Sequence, residues 1–339
     1  MPVKKSKSTK KRLPTAPDSN WPKVEQQPKH DQSDFDLEDC RIDLYAVDRQ
    51  IWSGISKADL IRYYHQVAPF LLSFIQNRPQ SLHVKYQGVH APGVYIKDME
   101  GREPDCATVF KDQRRHKAKG KNPVINYLVC NNEATLLWMI NIGCIDINPW
   151  HSRITDHLHP DYIVIDLDPT EKVLTDKGLD RLITVALATK DYCDHLKLKT
   201  FVKTSGKTGL HFLVPCNGFG YPQTRHLANK ICDDVYQLVP SDSTTAVSVS
   251  QRAGKVYLDP SQNDYADTIA ASYCLRPYVT PTVSTPLTWK EIKRGLDPRT
   301  FTIPVILKRL ATKGDLWAKL LDPAVCAHNS KRLMALFTL

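Results

Sequence analysis

The segment from Tyr162 to Pro169 limits most strongly what this chain can fold into. It reads Tyr-Ile-Val-Ile-Asp-Leu-Asp-Pro, a short β-branched run that ends in proline, and this composition predicts a buried strand. Residues two apart in a strand face the same side, so Asp166 and Asp168 would lie side by side while Leu167 points into the core. Adjacent carboxylates repel each other unless a cation lies between them. The segment therefore predicts a divalent metal site, with a pair of solvated acids as the alternative.

A glycine-bearing turn supplies a second candidate element. Lys-Thr-Ser-Gly-Lys-Thr-Gly-Leu-His, residues 203–211, joins two apolar strands. Small residues let backbone N–H groups approach an anion closely, and Ser205, Lys207 and His211 add a hydroxyl, a charge and a hydrogen-bond donor. The pattern is not a Walker loop. It predicts a phosphate cradle, and an ordinary hairpin with a basic tip is the alternative.

A third strand-end acid, Asp259, follows the apolar segment Val256-Tyr-Leu. Three such acids with a phosphate cradle between them in sequence favour a nucleoside triphosphate and two metal ions as ligands. Gln262 follows in the next turn. Arg252 and Arg276 are candidate phosphate clamps, although either could be a surface charge.

The order of strands and helices predicts a mixed α/β (α+β) fold. We expect one catalytic domain, residues 39–339, built from two sheet-containing halves flanked by helices, with the three aspartates on the second half and the site in the cleft between the halves. The predicted helices cover 57–77, 132–143, 177–196 and 222–238, and the predicted strands include 81–86, 93–97, 200–204 and 210–215, with a hairpin over 245–259 and a mostly helical end over 288–339.

Residues 1–38 differ from the rest of the chain in composition. A basic run from Lys4 to Arg12 without an acid is followed by four prolines and a short acidic patch, which predicts a disordered basic tail. This tail would be either a non-specific DNA tether or a solubilising segment. Residues 111–121 form a second basic stretch, which we expect to be an exposed loop that contacts phosphates or is simply solvated. The 46 basic residues exceed the 36 acidic ones by 10, which favours a nucleic-acid partner.

Other classes of protein are disfavoured. No stretch approaches the ~18 consecutive apolar residues of a membrane helix, and the start Met-Pro-Val-Lys-Lys has no apolar run behind it. We therefore expect a cytoplasmic, nucleoid-associated protein with no membrane contact. The nine cysteines include no C-x-x-C pair, so they are predicted to be reduced and mostly buried.

Three motifs in this order, residues 162–169, 203–211 and 256–263, resemble the polymerase domain of bacterial DNA ligase D, a branch of the archaeo-eukaryotic primase superfamily. Residues 55–64, 142–150, 272–277 and 284–289 agree with the same family. The resemblance covers roughly residues 40–320. It implies a primase-like catalytic core. Because no ligase or nuclease module fits in the remaining residues, we expect a stand-alone polymerase domain that acts as a monomer.

The resemblance also implies roles for individual residues. Asp166, Asp168 and Asp259 would bind two catalytic ions, Mn²⁺ or Mg²⁺. Ser205 and His211 would bind the phosphates of an incoming ribo- or deoxynucleotide, with Gln262 and Arg276 around it. Arg49 and Lys57 would hold a 5′-phosphate on the downstream DNA strand.

The family fills short gaps and extends broken DNA ends in non-homologous end joining with the Ku protein, often preferring ribonucleotides and manganese. We expect gapped DNA or broken ends with a 5′-phosphate as partners here, together with Ku and a separate ligase. Two alternatives stay open: a DNA-end-binding or bridging factor whose polymerase chemistry is incidental or lost, and a primase that starts strands without a primer.

This sequence departs from the family pattern at four places. Ala46 replaces an asparagine of the 5′-phosphate pocket, and Asn148 replaces a frequent histidine before Pro149-Trp150. The lysine of the turn is Lys207, because Thr208 precedes Gly209. The aromatic pair that stacks on template DNA appears as Val94-Tyr95, which leaves one ring, Tyr95, and base stacking is worth ~1–3 kcal/mol per base.

Overall fold

The computed structural model describes residues 35–37, 40–113, 124–170 and 175–337. The predicted tail 1–38 lies outside the described residues apart from Phe35–Leu37, and residues 114–121 of the predicted basic loop also lie outside them. The tail and the domain boundary stay predictions.

The first half of the described chain contains two helices and nine short strands. The long helix α1, Lys57–Ile75, was predicted over 57–77. The elements are β1 Phe35–Leu37, β2 Cys40–Ile42, β3 Gln50–Trp52, β4 Ile55–Ser56, α1 Lys57–Ile75, β5 Leu82–Val84, β6 Val94–Ile96, β7 Thr108–Asp112, β8 Ile125–Val129, α2 Glu133–Asn141 and β9 Cys144–Asp146.

Local sequence signals position α1. The Ser56 hydroxyl accepts a hydrogen bond from the Asp59 backbone N–H at 3.2 Å, and the Asp59 carboxylate accepts one from the Ser56 N–H at 2.9 Å, which is a capping box. The predicted apolar face is buried. The helix ends at Ile75 because Asn77 takes a positive φ of 58° before Arg78-Pro79, and a residue before proline disfavours helical geometry.

A three-stranded antiparallel sheet in the first half has the order β6-β5-β9. Leu82 and Val84 of β5 face the core and are buried. His83 lies between them and therefore projects from the other face. This sheet positions several groups described below.

The second half contains a six-stranded sheet covered by helices. The strand β10, Tyr162–Pro169, lies near its centre and has buried apolar residues from Tyr162 to Ile165. Helices α3, Asp176–His195, and α4, Tyr221–Leu238, pack against it. The sheet order is β13-β14-β10-β12-β11-β15, built from β10 Tyr162–Pro169, β11 Phe201–Thr204, β12 Leu210–Pro215, β13 Ser243–Thr244, β14 Val256–Asp259 and β15 Pro286–Leu287, with helices α3 Asp176–His195, α4 Tyr221–Leu238, α5 Ile303–Lys313 and α6 Pro323–Met334.

The predicted hairpin over 245–259 is wrong. The strand before the turn is Ser243–Thr244, and it pairs with β14 in parallel, whereas a hairpin requires antiparallel strands. Residues 249–251 form a 3₁₀ turn instead. The end of the chain is helical over α5 and α6, with irregular chain over residues 314–322.

Two tyrosines of α1 join the halves. The Tyr63 hydroxyl donates to the Tyr273 carbonyl at 2.7 Å, and the Tyr64 hydroxyl donates to the Ile145 carbonyl and accepts the Leu275 N–H at 3.0 Å. One hydrophobic core extends through both halves. The mixed α/β prediction is confirmed. Among the residues described, no helix combines the length and the apolar character that a membrane crossing requires.

Candidate active site

Three aspartates meet at adjoining strands of the large sheet. Asp166 of β10 lies opposite Asp259 of β14 in the antiparallel register, and Asp168 follows two residues later on the same face. Burial, and then the carboxylates of Asp168 and Asp259, raise the pKa of Asp166 to about 8. Burial also raises the pKa of Asp168, and Asp259 adds to this shift while Arg252 opposes it. The neighbouring carboxylates therefore disfavour the ionised forms of Asp166 and Asp168.

The donor chemistry of this cluster suits divalent ions. Carboxylate oxygens are the ligands that hard divalent cations prefer, and a cation would relieve the repulsion that raises the Asp166 pKa. In the described part of the chain, however, no group of three or more His, Cys, Asp or Glu side chains is arranged to hold an ion. One oxygen of Asp259 accepts the Ser261 backbone N–H at 2.7 Å. The metal assignment stays a prediction.

The predicted phosphate turn packs tightly against β10. The Ser205 hydroxyl accepts hydrogen bonds from the backbone N–H groups of Lys207 at 3.2 Å and Gly209 at 3.1 Å, which fixes the turn. A Cβ at Gly209 would lie 2.3 Å from the Leu167 carbonyl oxygen, so only glycine allows this approach. The pKa of Lys207 is lowered by burial and by Arg276, while Asp168 and Asp166 act in the opposite direction. The turn therefore lies beside the aspartates.

His211 is held between a lysine and an aspartate. It pairs with Asp166 in the β10–β12 register, and its Nε2 lies 3.6 Å from an Asp166 oxygen. The buried Lys203 donates to His211 Nδ1 at 2.7 Å and to the Ser284 hydroxyl at 2.5 Å. This contact places the hydrogen of the imidazole on Nε2, toward the site. Burial lowers the pKa of Lys203 to about 7.

Lys203 and Ser284 were missed as site residues. A lysine inside an apolar strand was the available signal, since a fully buried lysine needs partners.

Arg276 connects the turn to the first half. It donates to the Ser205 carbonyl at 2.8 Å, and its Nε lies 3.7 Å from Asp146 of β9. A Cβ at Gly206 would come within 2.4 Å of the Arg276 Cγ. Burial would raise the pKa of Asp146, but a hydrogen bond with His83 and the charge of Arg276 hold it below the ordinary value. His83 and Asp146 were also missed, because the β5–β9 pairing that brings them together is not local in sequence.

Arg252 lies near the aspartates but is occupied by other contacts. Its guanidinium donates to the carbonyls of Ala246 at 3.0 Å and Val247 at 2.9 Å and lies 3.6 Å from the Tyr257 ring centre. It still lowers the pKa of Asp168. Its position therefore favours a role in shaping the loop and the local field over a free phosphate clamp.

Gln262 is part of the 3₁₀ turn Ser261–Asn263, which follows Asp259 after Pro260. It is partly exposed. Its neighbour Asn263 fixes this turn to β10, since its side chain accepts the Val164 N–H at 2.8 Å and donates to the Val164 carbonyl at 2.7 Å. The structure therefore holds Gln262 close to the third aspartate.

The predicted 5′-phosphate residues are neighbours in the first half. Lys57 is buried, donates to the Asn141 side chain at 2.9 Å and lies 3.8 Å from the Tyr45 ring centre. Burial and then the charge of Arg49 lower its pKa to about 7. The Arg49 guanidinium donates to the Tyr86 carbonyl at 2.9 Å. Arg49 is therefore near enough to lower the pKa of Lys57, which lies below the surface.

Tyr95 of β6, the predicted template-stacking residue, is exposed, in contrast to the buried Lys57. Its side chain is 63% exposed, and its ring stacks on His83 with centroids 4.4 Å apart and planes within 7°. An exposed aromatic ring backed by a second ring is a suitable surface for a nucleobase.

Comparisons with known proteins agree with this architecture. The model of the LigD primase-polymerase domain family matches residues 56–317. The chain is 29% identical over 305 residues to the multifunctional non-homologous end joining DNA repair protein LigD of Mycobacterium tuberculosis, covering 86% of this chain and 38% of that protein. It is 28% identical to the bifunctional non-homologous end joining protein LigD of Bacillus subtilis over 264 residues, which are 76% of this chain and 40% of that protein. This chain thus spans well under half the length of these relatives.

A solved structure shows the same fold. The polymerase domain of Mycobacterium tuberculosis ligase D in complex with DNA superimposes with a TM-score of 0.73 at 27% identity, covering 84% of this chain and 98% of that one. The family match extends over most of the chain and includes the aspartates, the turn and Arg276. This chain therefore belongs to the LigD primase-polymerase domain family.

Proposed function

We propose that this chain is a template-directed nucleotidyltransferase that adds ribo- or deoxynucleotides to DNA ends and short gaps in non-homologous end joining. The observation that carries the proposal is the register of Asp166 opposite Asp259, with Asp168 on the same face and the Ser205 turn beside them. Names of the relatives support the pathway, since they are end-joining proteins.

Asp166, Asp168 and Asp259 would hold two divalent ions, Mn²⁺ or Mg²⁺. When bound, such a pair activates an attacking hydroxyl and stabilises a leaving pyrophosphate. The proposed task of the three side chains is to fix the position where the primer end meets the nucleotide. The raised pKa values of Asp166 and Asp168 support this, because a cluster that repels itself in the free protein favours cations.

The turn and its neighbours would bind the triphosphate. The backbone of residues 205–209 would face the phosphates, and Lys207 would add a charge that the nearby acids stabilise. The His211 Nε2–H would donate to a phosphate oxygen, because Lys203 occupies Nδ1 at 2.7 Å. Arg276 would brace the turn through the Ser205 carbonyl, and Gln262 would lie beside the nucleotide.

Arg49 and Lys57 would recognise the downstream 5′-phosphate, and Tyr95 would stack on the template. The excess of 10 basic over acidic residues would support binding to the DNA backbone. Ku and a separate ligase are the proposed partners in the pathway, and the solved relative in complex with DNA supports DNA itself as a partner.

The test is nucleotide addition on a short gapped duplex with and without a 5′-phosphate at the gap. Ribo- and deoxynucleotides are compared in manganese and in magnesium. Addition that requires metal, follows the template and improves with the 5′-phosphate is expected. Tight binding to the ends without addition under any of these conditions would overturn the proposal in favour of an end-binding factor.

A further inference from the structure

A row of three side chains crosses the β6-β5-β9 sheet on the face opposite the core. In the strand registers, Tyr95 of β6 pairs with His83 of β5, and His83 pairs with Asp146 of β9. Side chains that are opposite each other across antiparallel strands are close enough to interact. This row therefore leads from an exposed ring to a buried carboxylate without interruption.

Each member of the row fixes the next. Asp146 is buried and accepts a contact from His83 Nδ1 at 3.1 Å. The His83 side chain is 13% exposed, and its ring is nearly parallel to that of Tyr95. The tyrosine itself is exposed. The outer ring, Tyr95, is therefore exposed to solvent. The inner ring, His83, supports it in an orientation that is set by the hydrogen bond to Asp146.

Gly93 leaves the space that the imidazole occupies. A Cβ at this position would lie 2.4 Å from His83 Nε2 and 2.9 Å from His83 Cδ2. Its backbone φ is not positive, so conformational freedom is not what requires glycine here. The glycine is explained by the ring packed against it.

The row ends beside the candidate nucleotide site. The second oxygen of Asp146 lies 3.7 Å from Arg276 Nε, and the same guanidinium donates to the Ser205 carbonyl. A base lying on Tyr95 would therefore rest on a support that is anchored next to the phosphate turn.

We propose that His83 is a positioning residue that completes a stacked two-ring platform with Tyr95 for an unpaired template nucleobase. Its imidazole replaces the support that a second aromatic residue next to Tyr95 would give, because Val94 has no ring. Asp146 fixes the imidazole plane and Gly93 makes room for it. The proposal rests on the proposed polymerase function, which identifies the base as belonging to the template.

The platform is tested by binding alone. The full chain is titrated with two gapped duplexes that differ at one unpaired template position, which carries either a base or an abasic site. Base stacking of ~1–3 kcal/mol per base predicts that the base-bearing duplex binds roughly 5- to 150-fold more tightly. Tyr95→Ala is expected to bring the ratio of the affinities for the base-bearing and abasic duplexes close to one.

Variants that remove or displace the His83 ring distinguish a positioning role of this residue from a role in folding alone. His83→Gln keeps a polar side chain that can reach Asp146 but removes the ring, and Gly93→Ala displaces the ring. Both are expected to lose most of the base-dependent ratio while the affinity for abasic DNA stays unchanged. His83→Phe restores a ring and is expected to retain the ratio. Gly220→Ala is the control, because the nearest atoms to its Cβ would lie 3.8 Å away.

The proposal would be overturned if His83→Gln and Gly93→Ala both kept the wild-type ratio of affinities for the base-bearing and abasic duplexes. It would also be overturned if the wild-type chain bound the two duplexes equally well. Loss in His83→Gln without recovery in His83→Phe would also overturn it, since the ring would then not be what supports Tyr95. The binding assay contains no nucleotide, so failure of the platform is distinguishable from failure of nucleotide addition, which is measured separately on the same duplexes.

Discussion

Asp166 lies directly opposite Asp259 in the antiparallel pairing of β10 and β14. Like charges in facing positions of neighbouring strands destabilise a sheet, and here a third carboxylate, Asp168, adds to the repulsion. This arrangement costs stability in the free protein and would be compensated by cations. The proposed metal binding should therefore change the stability of the folded protein, which can be measured without substrate.

Asp166→Asn is predicted to stabilise the metal-free protein at pH 8. The folded pKa of Asp166 is raised from 3.8 to about 8, so the native state keeps a proton that the unfolded chain releases. Stability from this group is present at pH 4 and is lost as pH rises toward 8. In EDTA at pH 8, the variant should melt at a higher temperature than wild type, by about 2–4 °C for each kcal/mol of repulsion that is removed.

Added Mn²⁺ should then raise the melting temperature of wild type more than that of Asp166→Asn. Asp264→Asn is the matched control, because this exposed acid pairs with Arg225 at 3.1 Å near the site. Equal metal-induced shifts in wild type and Asp166→Asn would contradict the assignment of Asp166 as a ligand.

Gly209→Ala is predicted to impair nucleotide addition. The new Cβ would lie 2.3 Å from the Leu167 carbonyl oxygen, so the turn must move away from β10 and from the aspartates. Misplacing a positioning element by about 1 Å can cost on the order of 10²-fold in rate. Steady-state kinetics checks this, with Gly220→Ala as the glycine control. Wild-type kinetics in Gly209→Ala would show that the turn does not hold the nucleotide.

Lys203→Met is predicted to weaken nucleotide binding. The lysine donates to His211 Nδ1, and without it the imidazole loses the partner that sets its orientation. A hydrogen bond involving a charged group is worth about 1.5–3 kcal/mol, so the KM for nucleotide should rise roughly 10-fold or more. The affinity for gapped DNA, measured in parallel, should stay at the wild-type value. An unchanged KM would mean that Lys203 serves the core and not the site.

The benefit of a 5′-phosphate is predicted to decline as pH rises from 7 to 9. Burial and Arg49 lower the pKa of Lys57 to about 7, so the charged form that attracts phosphate is depleted above this pH. The phosphate is already a dianion there. The measurement is the affinity ratio of 5′-phosphorylated to 5′-hydroxyl gapped DNA at constant ionic strength.

Lys57→Arg should flatten this pH dependence, because a guanidinium stays charged throughout the range. A ratio that is constant with pH in the wild-type chain would place the phosphate away from Lys57.

Local sequence patterns predicted the helices, and the strands that carry the aspartates, more accurately than the residues that surround these aspartates. The alternation rule placed Asp166 and Asp168 on one face, and capping residues located the start of α1. The wrong hairpin over 245–259 arose because the partner of β14 on that side is the parallel strand Ser243–Thr244. Parallel pairing is not visible in a local pattern.

Long-range pairing also explains the missed residues. His83 is opposite both Tyr95 and Asp146 only because β5 lies between β6 and β9. The contacts of Arg252 with the carbonyls of Ala246 and Val247 depend on a loop conformation that composition does not determine. Lys57 was expected as a phosphate ligand from resemblance, and its burial follows from its place at the start of α1 against Asn141.

The most direct test of the central claim is single-turnover nucleotide addition by Asp168→Asn on a gapped duplex, with DNA binding measured on the same sample. Asp168 is the most exposed of the three aspartates, so its replacement should disturb folding least. We predict addition reduced by about 10³-fold or more, unchanged DNA affinity, and wild-type rates in Asp264→Asn. Wild-type addition by Asp168→Asn would contradict the proposed site.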